Sequence, residues 1–330
     1  MAWFDLSVEK LPSYSPDEKA PKDFDAFWKK TLAETAATGP ADPHFIQLDD
    51  PIFDLVDAYD VTFAGYLGQP IRGWYLEPKN YDVHAQGKLP CVVKYVGYGG
   101  GRGLAFEHLE WPVAGFACLV MDTRGQGSSW STGETPDDAP EGSAGPQIPG
   151  FMTRGIQARE DYYYRRVFVD AARAVEAAAA HPHVDAGRIA VTGGSQGGGI
   201  CIAAAGLSGK RVRLCMPDVP FLCNYKRACT IVDSDPYNEI SRFCKTHRGA
   251  SHHVFEVLSY FDGMHFAPRI TAHCLFSAGL MDMTCPPSTV YAAYNRVKAQ
   301  KEIRVYDFNN HEGGGAFQNI ARIRFAQEYL

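Results

Sequence analysis

From Leu89 onward the chain alternates short apolar runs with helix-like segments. Pro90-Cys-Val-Val-Lys-Tyr-Val96 and Phe116-Ala-Cys-Leu-Val-Met121 are almost continuously apolar, as strands are when a parallel sheet is covered on both faces. Further runs fall at Ile189–Thr192, Val212–Met216, Ala272–Ser277 and Ile303–Phe308. Between them, Arg165–His181 carries Val167, Ala171, Ala174, Val175 and Ala178 at helical spacing, which predicts an amphipathic helix. Earlier in the chain the period changes to two. Tyr59, Val61 and Phe63, then Ile71, Gly73 and Tyr75, alternate with other residues and predict an antiparallel pair with one wet face. Before those strands, Phe24, Phe27, Trp28 and Leu32 share one helical face, predicting a helix pinned to the body by aromatics. The whole pattern predicts an α/β fold: a doubly wound, mostly parallel sheet with antiparallel N-terminal strands.

The expected organisation is one domain over 1–330. It has an N-terminal extension at 1–55, an inserted loop at 130–157 and a helical insertion at 221–262. Trp130 to Gly150 holds Pro136, Pro140, Pro146 and Pro149 and is too long for an ordinary connection. It reads as a disordered loop or as a structured arm over the site or at a subunit contact.

Composition narrows the classes. The chain has 330 residues, 45% of them hydrophobic, enough for a large core, and a net charge of −6 with both signs interspersed, which suggests no nucleic-acid partner. It has no apolar run of ~18 residues, so no transmembrane helix is expected. The nine cysteines are an odd number, mostly set in apolar runs. They read as buried free thiols rather than a disulfide frame or a zinc site, so no metal is expected. With no visible secretory signal at the start, the cytoplasm is the expected compartment.

Candidate chemistry centres on Gly193-Gly-Ser-Gln-Gly197, a G-x-S-x-G sequence between the run Ile189–Thr192 and the helix-compatible Ile200–Gly206. Strand, sharp turn and helix are what a nucleophile elbow requires. The turn strains the serine backbone, leaving room only for glycine at 193 and 197, and it sets the hydroxyl at a helix N-terminus. A Gly-rich turn of this kind could also hold a phosphate. With Ser195 as nucleophile, a base and an orienting acid should follow in the order Ser, acid, His. His311, in Asn309-Asn-His-Glu-Gly-Gly-Gly315 after the last apolar run, is the candidate base. Asp282, just beyond Ala272–Leu280, is the candidate acid, preferred over Asp307 and Asp218. The N–H groups of Gln196 and Tyr98, the latter in the Gly97–Gly103 loop, are candidate oxyanion donors. Thr284 and Cys285, with Pro220 and Phe221 opposite, are candidates for a small acyl pocket. Arg124 is expected to pin neighbouring loops rather than to bind a substrate carboxylate.

The sequence resembles carbohydrate esterase family seven, the acetyl xylan esterases and cephalosporin-C deacetylases. The matching motifs are Arg124-Gly-Gln-Gly-Ser with Trp130, Gly193-Gly-Ser-Gln-Gly197 and His311-Glu312. Further stretches agree at Asp23-Phe-Asp-Ala-Phe-Trp28, Tyr162-Tyr-Tyr-Arg165, Leu258-Ser-Tyr-Phe-Asp262 and Cys285-Pro-Pro-Ser-Thr-Val290. The resemblance implies an α/β-hydrolase fold with the triad Ser195, Asp282 and His311 and the oxyanion amides of Tyr98 and Gln196. Some members have a histidine where this chain has Val96, which leaves the amide donor in place. The resemblance further implies a serine esterase acting without a cofactor on small acetylated substrates, including xylo-oligosaccharides and cephalosporin C, and a hexamer with inward-facing sites. Trp130–Gly150 and the aromatics Trp3, Phe4, Phe27 and Trp28 would supply apolar contact surface for the assembly. The competing readings are a peptidase of the same fold and a non-catalytic ligand-binding relative.

Overall fold

The computed structural model describes residues 3–49, 52–137 and 147–330. Among these residues nine strands form one mixed sheet in the order β1-β2-β3-β5-β4-β6-β7-β8-β9. They are β1 (His44–Gln47), β2 (Val56–Ala64), β3 (Pro70–Pro78), β4 (Leu89–Tyr95), β5 (Ala117–Met121), β6 (Val184–Gly194), β7 (Leu214–Asp218), β8 (His273–Gly279) and β9 (Lys301–Tyr306). β1, β2, β3 and β5 pair antiparallel; β5, β4, β6, β7, β8 and β9 pair parallel. The expected α/β-hydrolase sheet with antiparallel N-terminal strands is therefore what the chain forms. The four-residue β1 had no clear apolar signature: three of its residues are exposed, and pairing with β2 holds it.

Among the described residues ten α-helices accompany the sheet: α1 (Phe24–Ala36), α2 (Val83–Gln86), α3 (Tyr163–Ala180), α4 (Gln196–Ser208), α5 (Tyr225–Ile231), α6 (Tyr237–Thr246), α7 (Ser251–Leu258), α8 (Gly263–Phe266), α9 (Pro287–Tyr294) and α10 (Gly315–Tyr329). Successive residues of the central strands point to opposite faces and feed two cores. Cys91, Val93, Leu119 and Val191 join a large core with α1, α3 and α4, whereas Val92, Cys118, Val120 and Ala190 join a smaller one with Trp111, Phe116 and Phe325 of α10. Continuous apolarity in these strands is the signature of that two-sided burial. Among the described residues no helix is long and apolar enough to cross a membrane.

The N-terminal aromatics require a correction. Phe27 and Trp28 are buried, packed edge-on against Tyr260 and Phe261, and Trp28 Nε1 donates to Tyr260 O at 2.9 Å. They belong to the core and cannot serve as a contact surface; only Trp3 and Phe4 stay exposed. The segment 221–262 carries α5, α6 and α7. Of the Pro-rich stretch, residues 130–137 and 147–150 are irregular and anchored, while 138–146 lie outside the described residues.

Candidate active site

Ser195 follows β6 and caps α4 with φ 56° and ψ −120°, a region that side-chain-bearing residues rarely occupy. Its N–H donates to Asp218 O at 2.9 Å, and its carbonyl accepts Phe221 N–H at 2.9 Å, so β7 and its loop hold the turn. The flanking glycines are required. A Cβ on Gly193 would come within 2.5 Å of the Gly197 backbone, and one on Gly197 within 2.2 Å of Tyr95 O. Strain at one residue is thus sustained by close packing around it.

β8 delivers the acid. Asp282 is fully buried in the loop after it, where Oδ1 accepts the N–H groups of Thr284 and Cys285, both at 2.8 Å. The other oxygen, Oδ2, lies 2.9 Å from Nδ1 of His311, in the loop after β9. A carboxylate can only accept, so the imidazole carries its proton on Nδ1 and keeps Nε2 as the basic nitrogen. Asp307 is exposed; its carbonyl takes a bond from the Trp3 indole. Asp218 accepts a hydrogen bond from Ser277 Oγ, and burial pushes its carboxyl pKa upward. Of the three acids considered, Asp282 is the one bonded to the imidazole.

Ser195, His311, Trp130, His108 and Glu312 line a cavity of about 430 Å³. Pro220, Phe221, Thr284 and Cys285 do not line it. Phe221 borders the serine, its N–H donating to Ser195 O at 2.9 Å; Cys285 is buried with its N–H on Asp282 Oδ1 at 2.8 Å, and burial pushes its thiol's pKa well up. Phe221 is fully buried against Tyr237, its ring 6.3 Å from that of Tyr98.

The Gly97–Gly103 loop is locked to the elbow by two buried amide side chains. Gln126, within the Arg124-Gly-Gln-Gly motif, accepts Gly99 N–H at 2.7 Å and donates to Gln196 Oε1 at 2.8 Å; Gln196 Nε2 donates to Val96 O at 3.2 Å. The Gln196 N–H opens α4 and has no intrahelical acceptor. Among the described residues no acceptor takes the Tyr98 N–H. The indole of Trp130 lies against this loop, with Nε1 donating to Tyr98 O at 2.8 Å. Arg124 is buried, with Nε and Nη2 on the two oxygens of Asp170 in α3 at 2.6 and 2.8 Å, and its Nη1 donates to Gln69 between β2 and β3, so it pins that loop as expected.

Sequence reasoning missed Trp130 as part of the cavity wall, Gln126 as the loop tie, and any function for the Tyr98 ring. The Arg124–Trp130 motif carried the signal for the first two; the ring had none.

Among the described residues two side-chain groups have metal-ligand spacing: Asp282, Cys285 and His311, and, away from Ser195, Glu77, His181 and His183. In the first, both carboxylate oxygens already accept hydrogen bonds, and the thiol is held protonated by burial. In the second, Glu77 accepts from the hydroxyls of Tyr59 and Tyr75 and pairs with His183. All nine cysteines are free.

The whole chain has counterparts among known proteins. The acetyl xylan esterase (AXE1) family model matches residues 1–329. An acetyl xylan esterase from Paenibacillus sp. R4 superimposes with a TM-score of 0.89 at 42% identity, covering 98% of this chain and all of that one. Acetyl xylan esterase 1 from Thermoanaerobacterium sp. JW/SL YS485 does so with a TM-score of 0.86 at 32% identity, covering 99% and 100%. The acetyl esterase Axe7A of Xylanibacter ruminicola is 28% identical over 318 residues; the match takes in 93% of this chain and 66% of that longer protein. With the match running nearly end to end and the fold shared throughout, the chain belongs to the acetyl xylan esterase family.

Proposed function

We propose that this protein is a serine esterase that removes acetyl groups from small acetylated substrates through an acetyl-enzyme, with its chemistry in a single α/β-hydrolase domain. The observation that carries the mechanism is the His311–Asp282 pair, 2.9 Å apart, on a cavity shared with a serine in elbow geometry. Ser195 Oγ attacks the acetyl carbonyl while His311 Nε2 takes its proton. Asp282 keeps the imidazole in the required tautomer and stabilises the imidazolium. The N–H groups of Tyr98 and Gln196 bind the oxyanion. Collapse expels the alcohol, protonated by His311; water, deprotonated by the same nitrogen, then releases acetate. These residues and water supply every proton and electron pair, so the reaction requires no cofactor.

Substrate placement follows from the two sides of the serine. The acetyl methyl sits toward Cys285, Thr284, Pro220 and Phe221, and the alcohol occupies the cavity beside Trp130. An aromatic face among polar groups suits a sugar ring, which supports acetylated xylo-oligosaccharides; cephalosporin C carries the same kind of acetyl ester. A hexamer is part of this reading through family likeness, and the cytoplasm through the mostly buried free thiols, with the exposed Trp3, Phe4 and Trp130 as contact candidates. Light scattering at micromolar concentration should give the hexamer mass, and a monomer would refute it. The functional test is acetate release from acetylated xylo-oligosaccharides. Release by the wild type and none by Ser195→Ala is expected; equal release by both would overturn the serine mechanism.

A further inference from the structure

Tyr98 enters the reaction through its N–H, yet its side chain is itself tied at three points. The hydroxyl donates to Glu239 Oε1 at 2.5 Å and accepts the N–H groups of Gly150 at 3.2 Å and Phe151 at 3.0 Å. The second Glu239 oxygen accepts Met152 N–H at 3.1 Å. The carbonyl of Tyr98 meanwhile accepts the Trp130 indole at 2.8 Å. Glu239 belongs to α6, in the helical insertion, and is buried, with 8% of its surface exposed. Residues 150–152 close the Pro-rich stretch that begins at Trp130. One carboxylate thus joins three segments that are remote in sequence: the oxyanion loop, the end of the inserted loop and an insertion helix.

A backbone donor contributes to catalysis only if it is held where the oxyanion forms, because electrostatic stabilisation depends on dipoles already in place. The main chain of Tyr98 has no strand or helix to fix it. Its neighbours Gly97, Gly99, Gly100 and Gly101 allow many conformations, and Gly99 sits at φ 77°. Anchors at the carbonyl and the ring hydroxyl take the place of secondary structure and leave the N–H free.

We propose that Glu239 is a positioning residue for the oxyanion: it fixes the Tyr98 ring, and through it the Tyr98 N–H, while binding the end of the inserted loop with its other oxygen. The inference rests on the serine-esterase reading and on Tyr98 as a donor. Burial supports the arrangement. It raises the phenol's pKa, keeping it a donor, and raises that of the Glu239 carboxyl, whose bonds from Tyr98 and Met152 oppose the shift. A wall residue of the acyl pocket would change substrate choice. A positioning residue changes transition-state binding for every acetyl ester alike.

The test uses Glu239→Ala, Glu239→Gln and Tyr98→Phe in the full chain, with a chromogenic acetyl ester and a trifluoromethyl ketone that forms an oxyanion adduct on serine. Complete loss of an oxyanion donor costs about 10²–10³ in kcat, so a displaced donor should cost about tenfold. Glu239→Ala should lower kcat by that factor with KM changed less than threefold. It should weaken the ketone in proportion to kcat/KM. Glu239→Gln, which keeps an acceptor for the hydroxyl, should recover most of the loss. Tyr98→Phe, which removes the hydroxyl alone, should reproduce the alanine effect and carries the test if Glu239→Ala does not fold. A kcat within twofold of wild type in Glu239→Ala or Tyr98→Phe would overturn the proposal, as would lowered kcat with unchanged ketone affinity. Ser195→Ala run alongside separates the two readings: turnover there overturns the serine mechanism, whereas normal turnover in the Glu239 variants beside an inactive Ser195→Ala overturns only the positioning role.

Discussion

The two sides of Ser195 are built from different material. Toward the acid loop stand Cys285 and Phe221, both buried, one in a loop that caps Asp282 and the other in a loop that holds the elbow. Moving either means disturbing the catalytic frame. Toward the cavity stand Trp130, 64% exposed, and Glu312, in loops that leave the sheet for the surface. One side is continuous with the core and suited to a fixed small group. The other opens outward and can accept variable alcohols. Acyl selectivity should therefore be strict, and alcohol selectivity loose.

The largest expected effect removes the frame common to both sides. Asp282→Asn should lower kcat by about a thousandfold or more, since the base loses the partner that sets its tautomer. Asp307→Asn should stay within a fewfold of wild type. Steady-state kinetics on one acetyl ester compares the two variants, and the reverse ranking would show that the wrong acid has been chosen.

A smaller effect should come from the closed side. Each poorly accommodated methylene costs roughly 1–3 kcal/mol, so a butyrate ester should be hydrolysed at least tenfold more slowly than the acetate. Cys285→Ala should narrow that ratio while its backbone N–H continues to serve Asp282. A wild type that hydrolyses butyrate as fast as acetate would break the comparison. The smallest effect belongs to the open side. Trp130→Ala should raise KM for an acetylated xylo-oligosaccharide several-fold more than KM for a small aryl acetate, as expected for an aromatic contact worth about 0.5–1.5 kcal/mol. Taking the ratio of the two substrates cancels any loosening of the Tyr98 loop, which both would suffer equally.

The same contrast governs what could be read from the chain. Ser195, Asp282 and His311 each stand in a loop directly after a parallel strand. Strand runs are visible as apolar stretches, and chain order assigns the roles. Gly193 was legible because the turn itself requires it, a Cβ there meeting Gly197; Gly197 was read from the same turn pattern, although what a Cβ there would meet is Tyr95 O on β4. The cavity wall and the Glu239 link were not legible. Glu239 meets Tyr98 across 141 positions, through an insertion helix whose packing no local periodicity encodes. Phe27 and Trp28 fail for the same reason: helical spacing marks an apolar face without saying which partner, here Tyr260 and Phe261, will cover it. β1 escaped notice because its order comes from pairing with β2 rather than from its own residues.

The central claim is that Ser195, in an elbow beside the His311–Asp282 pair, is the nucleophile. Covalent trapping tests it directly. The wild type, treated with an aryl methylphosphonate and digested, should show one equivalent of label on the peptide carrying Ser195, with acetyl-ester hydrolysis lost in proportion to labelling. Label on Cys285, whose N–H is bound to Asp282, or loss of activity with Ser195 unmodified, would contradict it.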